Sequence, residues 1–118
     1  MEMVWRGSRN FEASSQIFAG LLYNGYDPPP GFCFGYRCHH TDPPIQDDHN
    51  LFGYNVEERV DLFVKYVCKQ ARSYKTNHII LTMGSDFHYE NARRWFKNLD
   101  KLIKYVNKVG SIRVMYVI

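Results

Sequence analysis

From residue 55 onward the chain alternates helix-like and strand-like patterns, and that rhythm restricts the fold more than any other feature. In "NVEERVDLFVKYVCKQARSYK", residues 55–75, Val56, Val60, Phe63, Val64, Val67 and Ala71 recur at steps of three and four, the spacing of one helical stripe. Asn55 is placed to cap this helix, and Glu57 and Glu58 suit the positive end of its dipole. "TNHIILTMG", residues 76–84, reads as a strand. A second helix follows over 91–109, with Trp95, Phe96, Leu99, Leu102, Ile103 and Val106 on one side and Gly110 as its stop. "SIRVMYVI", residues 111–118, reads as a last strand. Such alternation indicates an α/β fold, a parallel sheet with helices packed outside. A strand covered on both faces should be continuously apolar, and Ile79, Ile80, Leu81 and Met83 satisfy that.

The first half is less regular. Residues 1–6 read as a strand, 7–10 as a turn, and "SSQIFAGLL", residues 14–22, as one or two helical turns behind serine caps. Residues 23–53 hold five prolines and four glycines, so no regular element is expected there. Structureless loops longer than about 15 residues are uncommon in compact domains and are often functional.

At 118 residues the chain suffices for one domain, residues 1–118, and not for two. Its net charge is a mild +3, and most of the basic residues scatter through residues 59–113 without a clustered basic face, which argues against nucleic acid as a partner. No run reaches the roughly 20 apolar residues of a membrane span, and the start lacks a signal peptide's apolar core. Taken at face value the chain would be cytosolic. Both ends nevertheless lie inside strand-like runs without a polar linker, so a segment of a larger protein is expected.

Ligands in parallel α/β folds gather at the carboxyl ends of strands, and Asp86 lies there, three residues past Met83. Two accounts of it stand side by side: a cap for the following helix, or a general acid/base carboxyl. Tyr26 and Asp27 are either turn residues ahead of Pro28 or a hydroxyl and a carboxylate offered to a polar ligand such as a sugar. His39, His40 and Asp42 tempt a metal reading. Neighbouring side chains in an extended loop diverge, however, and surface histidines are the better expectation. Trp5 is expected in the core rather than as a sugar platform, and Trp95 with Phe96 as packing. Cys33 and Cys38 fit a short disulfide, two free thiols or half a metal site. The missing second pair weighs against metal, and a disulfide would mean an oxidising compartment. Cys68 is expected as a small buried hydrophobe.

Taken in order, "MEMVWRGS", "LLYNGYDPPPGFC…C", "YKTNHIILTMGSDFHYENARRWFKNLDKLIKYVN" and the final strand resemble an internal segment of the lysosomal-type α-mannosidases. These are zinc-dependent retaining glycoside hydrolases that include the Golgi mannosidase II enzymes. The resemblance implies part of a seven-stranded parallel α/β barrel, contributing its later strands. It implies Asp86 as the catalytic acid/base, Tyr26 and Asp27 as sugar-binding residues, and Cys33 with Cys38 as a short disulfide. It further implies mannose-containing oligosaccharides as substrates, the rest of the same polypeptide as partner, and a lysosomal location. The nucleophilic aspartate and the His and Asp zinc ligands of the family are missing from these residues, and "HHTD" does not replace them. No metal ligand is therefore assigned, and the isolated chain is expected to be inactive. The alternative is a truncated, non-catalytic binding or regulatory module.

Overall fold

The computed structural model describes residues 1–116. In chain order they form β1 (Glu2–Arg6), a 3-10 turn (Glu12–Ser15), β2 (Gln16–Gly20), β3 (Tyr23–Tyr26), α1 (Val56–Ala71), a 3-10 turn (His88–Asn91) and α2 (Ala92–Val109).

The two helices fall where their apolar stripes place them. Val56, Val60, Phe63 and Val67 of α1 face Trp95, Leu99, Leu102 and Val106 of α2, and all eight are buried. The third wall of this core is the proline-rich loop. Phe32, Phe34 and Ile45 reach in from it, with Phe32 edge-on to Phe63 at 5.3 Å and Phe34 edge-on to Trp95 at 5.8 Å. The loop thus has no helix or strand over residues 27–55, yet apolar anchors and side-chain bonds fix it. Asn98, buried in α2, accepts a bond from the Ile45 amide at 2.7 Å, and Lys101 Nζ pairs with Asp47 at 2.6 Å. Asn55 acts here rather than as a cap. Its side chain accepts from the Gln46 amide at 2.8 Å and donates to the Pro44 carbonyl at 3.1 Å. At the other helix the expectation stands: Gly110, with φ of 76°, ends α2 in the left-handed conformation.

Six expectations fail. Residues 16–20 are a strand, not helical turns. β2 pairs antiparallel with β1, Trp5 opposite Ile17 and Val4 opposite Phe18. So short an apolar run suits either state, and a helix nucleus of one or two turns is unfavourable unless packing supports it. Residues 23–26, expected without regular structure, form β3. Residues 79–83 and 111–116 run without an assigned strand, and Ile80 is 63% exposed. Strand geometry requires a neighbour to accept its backbone bonds. Among the described residues the sheet consists of β1 and β2 alone. Residues 112–116 instead lie along α2, where the Asn107 side chain bonds both the amide and the carbonyl of Val114. Residues 117–118 of the expected last strand lie outside the described part. Finally, Trp5 is 55% exposed and Cys68 is exposed, so neither is in the core.

The hairpin is tied to the helical half at its open end. The Met1 amino group donates to the Ser73 carbonyl at 2.7 Å, and Tyr74 Oη donates to the Leu21 carbonyl at 2.9 Å. The Lys75 amide donates to the Glu2 carboxylate at 3.1 Å. The radius of gyration is 17.3 Å, against about 13–14 Å for a compact domain of this length.

Candidate active site

Asp86 occupies the turn between the extended run 79–85 and the 3-10 turn His88–Asn91. Trp95 fixes that turn. The His88 ring stacks on it at 5.5 Å and 19°, and the Tyr89 ring at 5.2 Å and 23°. Tyr89 Oη donates back across the turn to the Met83 carbonyl at 2.6 Å. Gly84 makes this possible, because a Cβ there would sit 2.8 Å from the Tyr89 ring. Phe87 is held at φ of 63°, the one non-glycine residue with positive φ among those described. A bulky residue in that region is strained, and such strain gathers at functional sites.

The helix-cap account of Asp86 does not hold. The cap of α2 is Asn91, whose side chain accepts from the Arg94 amide at 3.4 Å. Asp86 Oδ2 instead receives a long hydrogen bond from Tyr26 Oη at 3.4 Å, across sixty residues of sequence. Tyr26 ends β3, and the turn beyond it is pinned to the same run that carries Asp86. Thr82 Oγ1 donates to the Asp27 carbonyl at 2.8 Å, and Asn24 Nδ2 donates to the Pro28 carbonyl at 2.9 Å. Asp27 and Asp86 border one open cavity of about 490 Å³, and Tyr26 is tied to it through its bond to Asp86.

The same cavity is lined by the loop closed by a Cys33–Cys38 disulfide, with a Cα separation of 6.0 Å. Asp42 staples this loop twice, its carboxylate accepting from the Cys33 amide at 2.8 Å and its amide donating to the Cys33 carbonyl at 2.9 Å. His39 and His40 border the cavity as well. They do not join Asp42 in a converging ligand set. Among the described residues the group of three that could hold a metal is Cys33, Cys38 and His88, and two of its three donors are engaged in the disulfide. Sequence reasoning passed over Arg37, also on the cavity wall, which pairs with Glu90 at 3.3 Å and lies over the Phe87 ring at 5.8 Å. Its place inside the cysteine loop was the available signal.

The chain matches the glycosyl hydrolases family 38 N-terminal domain over residues 1–117. It belongs to glycosyl hydrolase family 38. It is 47% identical over 116 residues to an alpha-mannosidase of Canavalia ensiformis, covering 98% of this chain and 12% of that protein. It is 49% identical over 108 residues to the lysosomal alpha-mannosidase of Cavia porcellus, covering 91% of this chain and 10% of that protein. Against the lysosomal alpha-mannosidase of Homo sapiens it is 46% identical over 121 residues, covering 98% and 12%. The family 38 chain therefore spans about a tenth of the length of these relatives, as a fragment of the N-terminal domain.

Proposed function

We propose that this family 38 segment contributes the acid/base carboxyl and part of the sugar pocket of an α-mannosidase acting on mannose-containing oligosaccharides. The observation that carries the reading is the bond from Tyr26 to Asp86, a residue that lines the cavity. Tyr26 engages Oδ2, and Oδ1 is the oxygen that would carry the transferred proton. The protonated carboxyl would deliver its proton to the bridging glycosidic oxygen as the bond to the leaving sugar breaks. The resulting carboxylate would then take a proton from the water that completes hydrolysis. Retention of configuration needs a second carboxyl about 5 Å away as nucleophile, and that group belongs to the polypeptide beyond this chain. Asp27, which lines the same cavity, would accept hydroxyl bonds from the bound sugar.

Zinc is the cofactor the family resemblance implies, held by His and Asp side chains. Among the described residues His39, His40 and Asp42 do not gather into such a set; the ligands would come from elsewhere in the enzyme. The extended runs at 79–83 and 111–116 are the expected later strands of a seven-stranded parallel barrel, whose neighbouring strands would come from the remaining polypeptide. Lysosomal relatives stand beside plant ones, and the loop disulfide supports an oxidising compartment; a lysosomal location is the finer reading. The second reading, a non-catalytic binding module, is favoured by the two open faces of the β1–β2 hairpin.

In an enzyme carrying this segment, Asp86→Asn should lower kcat on an α-mannoside with a weakly acidic leaving group by about 10²–10⁴. An Asp86→Asn enzyme with undiminished kcat would remove the acid/base assignment. The purified 118-residue chain should show no hydrolysis, and turnover by it would show that the nucleophile lies within these residues.

A further inference from the structure

We propose that reduction of the Cys33–Cys38 bridge turns this corner of the loop into a site for one thiophilic divalent cation, zinc or cadmium, with His88 as third ligand. Cys33 Sγ, Cys38 Sγ and a His88 ring nitrogen lie within 4.8 Å of one another, and Cys33 Sγ is 4.0 Å from His88 Nδ1. Two thiolates and an imidazole are the donor set that such ions prefer. The inference is independent of the mannosidase reading and uses none of the residues assigned to sugar chemistry.

The surroundings keep the three donors together after the bridge opens. The double staple between Cys33 and Asp42 closes the loop without the disulfide. Thr41 Oγ1 adds a bond to the Gly35 carbonyl at 3.1 Å, and Phe32 and Phe34 on either side of Cys33 are buried. His88 is 9% exposed, and its ring is held against Trp95. The Gly35 amide donates to Cys38 Sγ at 3.2 Å, an interaction that strengthens when the sulfur becomes anionic. Zinc–sulfur distances of about 2.3 Å and zinc–nitrogen distances of about 2.0–2.1 Å require modest side-chain rotation from these positions. The fourth position opens on the cavity, where water completes a tetrahedron.

A water-soluble phosphine supplies the electron pair. It cleaves the S–S bond, takes up the oxygen of one water to become a phosphine oxide, and the two protons of that water complete the thiols. The cation then displaces both thiol protons to solvent, and His88 binds through a ring lone pair.

The test uses the full chain with Cys68→Ala, which removes the free thiol. Cadmium is titrated before and after phosphine treatment, and thiolate-to-metal charge-transfer absorbance is recorded. The expected result is one equivalent bound after reduction and no such signal before it. His88→Phe preserves a ring against Trp95 while removing the ligand atom, and should weaken binding at least about tenfold. The paired Cys33→Ser and Cys38→Ser change should abolish it. Circular dichroism establishes that each variant is folded. In the unmutated reduced chain, the His88 imidazole resonances should shift on adding cadmium, a readout that needs no variant. Binding by the reduced chain no tighter than by the double-serine variant, or unshifted His88 resonances at saturation, would overturn the proposal.

Discussion

The helical half and the β1–β2 hairpin solve the same problem with opposite success. Around Trp95, two amphipathic helices and a proline-rich loop bury eleven apolar side chains against one another. The hairpin buries almost nothing. Met3 and Trp5 on one face and Val4 on the other are 47%, 55% and 66% exposed, and Phe18 of the partner strand is 74% exposed. An isolated two-stranded hairpin is marginal in water, so the bonds from Met1, Glu2 and Leu21 to the end of α1 do most to hold it. Helices satisfy their own backbone groups and need a partner for one stripe only. Strands need neighbours for both backbone and faces, and among the described residues this half has few.

The comparison breaks most readily at Trp95. Trp95→Ala should destabilise the chain by about 3–5 kcal/mol, lowering the urea midpoint of helical circular dichroism and loosening the Asp86 turn, since His88 and Tyr89 stack on that ring. Gly35→Ala comes next. Its Cβ would lie 2.9 Å from Trp95 Nε1, and overpacking of this kind amounts to about 1–3 kcal/mol in the same unfolding curve.

The loop staple at Asp47 gives a smaller, pH-dependent effect. The Lys101 ammonium holds this carboxyl below the usual aspartate range, desolvation opposes it, and a bond from Tyr105 Oη at 3.0 Å assists. Because the folded state has the lower pKa, the stabilisation is complete above the unfolded value of about 3.9 and is lost as pH falls through the folded one. Melting temperature should therefore drop on acidification below about pH 4. Asp47→Asn should flatten that part of the profile, with a stability change within about 1 kcal/mol. Smallest of all, Val4→Ser should shift unfolding by no more than about 0.5 kcal/mol. A larger loss there would mean that the hairpin carries a core of its own.

Legibility in the sequence followed the same division. Both helices, the stop at Gly110 and the burial of Trp95 were readable because periodicity and capping are local. Asp86, Tyr26 and Asp27 stand out from turn position and resemblance; Asp27 and Asp86 line one cavity, and Tyr26 bonds Asp86. The strand at 16–20 was misread because Ile17, Phe18, Leu21 and Leu22 fit both periods over so short a run. Trp5 and Ile80 were expected to be covered because apolar character tells what a residue prefers, not whether its partner is present. His88 illustrates a third limit: its burial comes from α2 and its proximity to Cys33 from a loop 55 residues away, and neither contact leaves a trace in spacing.

The acid/base role of Asp86 is tested most directly by leaving-group dependence. An enzyme carrying this segment with Asp86→Ala would be assayed on aryl α-mannosides spanning acidic to weakly acidic phenols. A lost proton donor predicts a small rate deficit on the most acidic leaving groups and a steeply growing one as the phenol becomes harder to expel. A uniform deficit across the series would contradict the account.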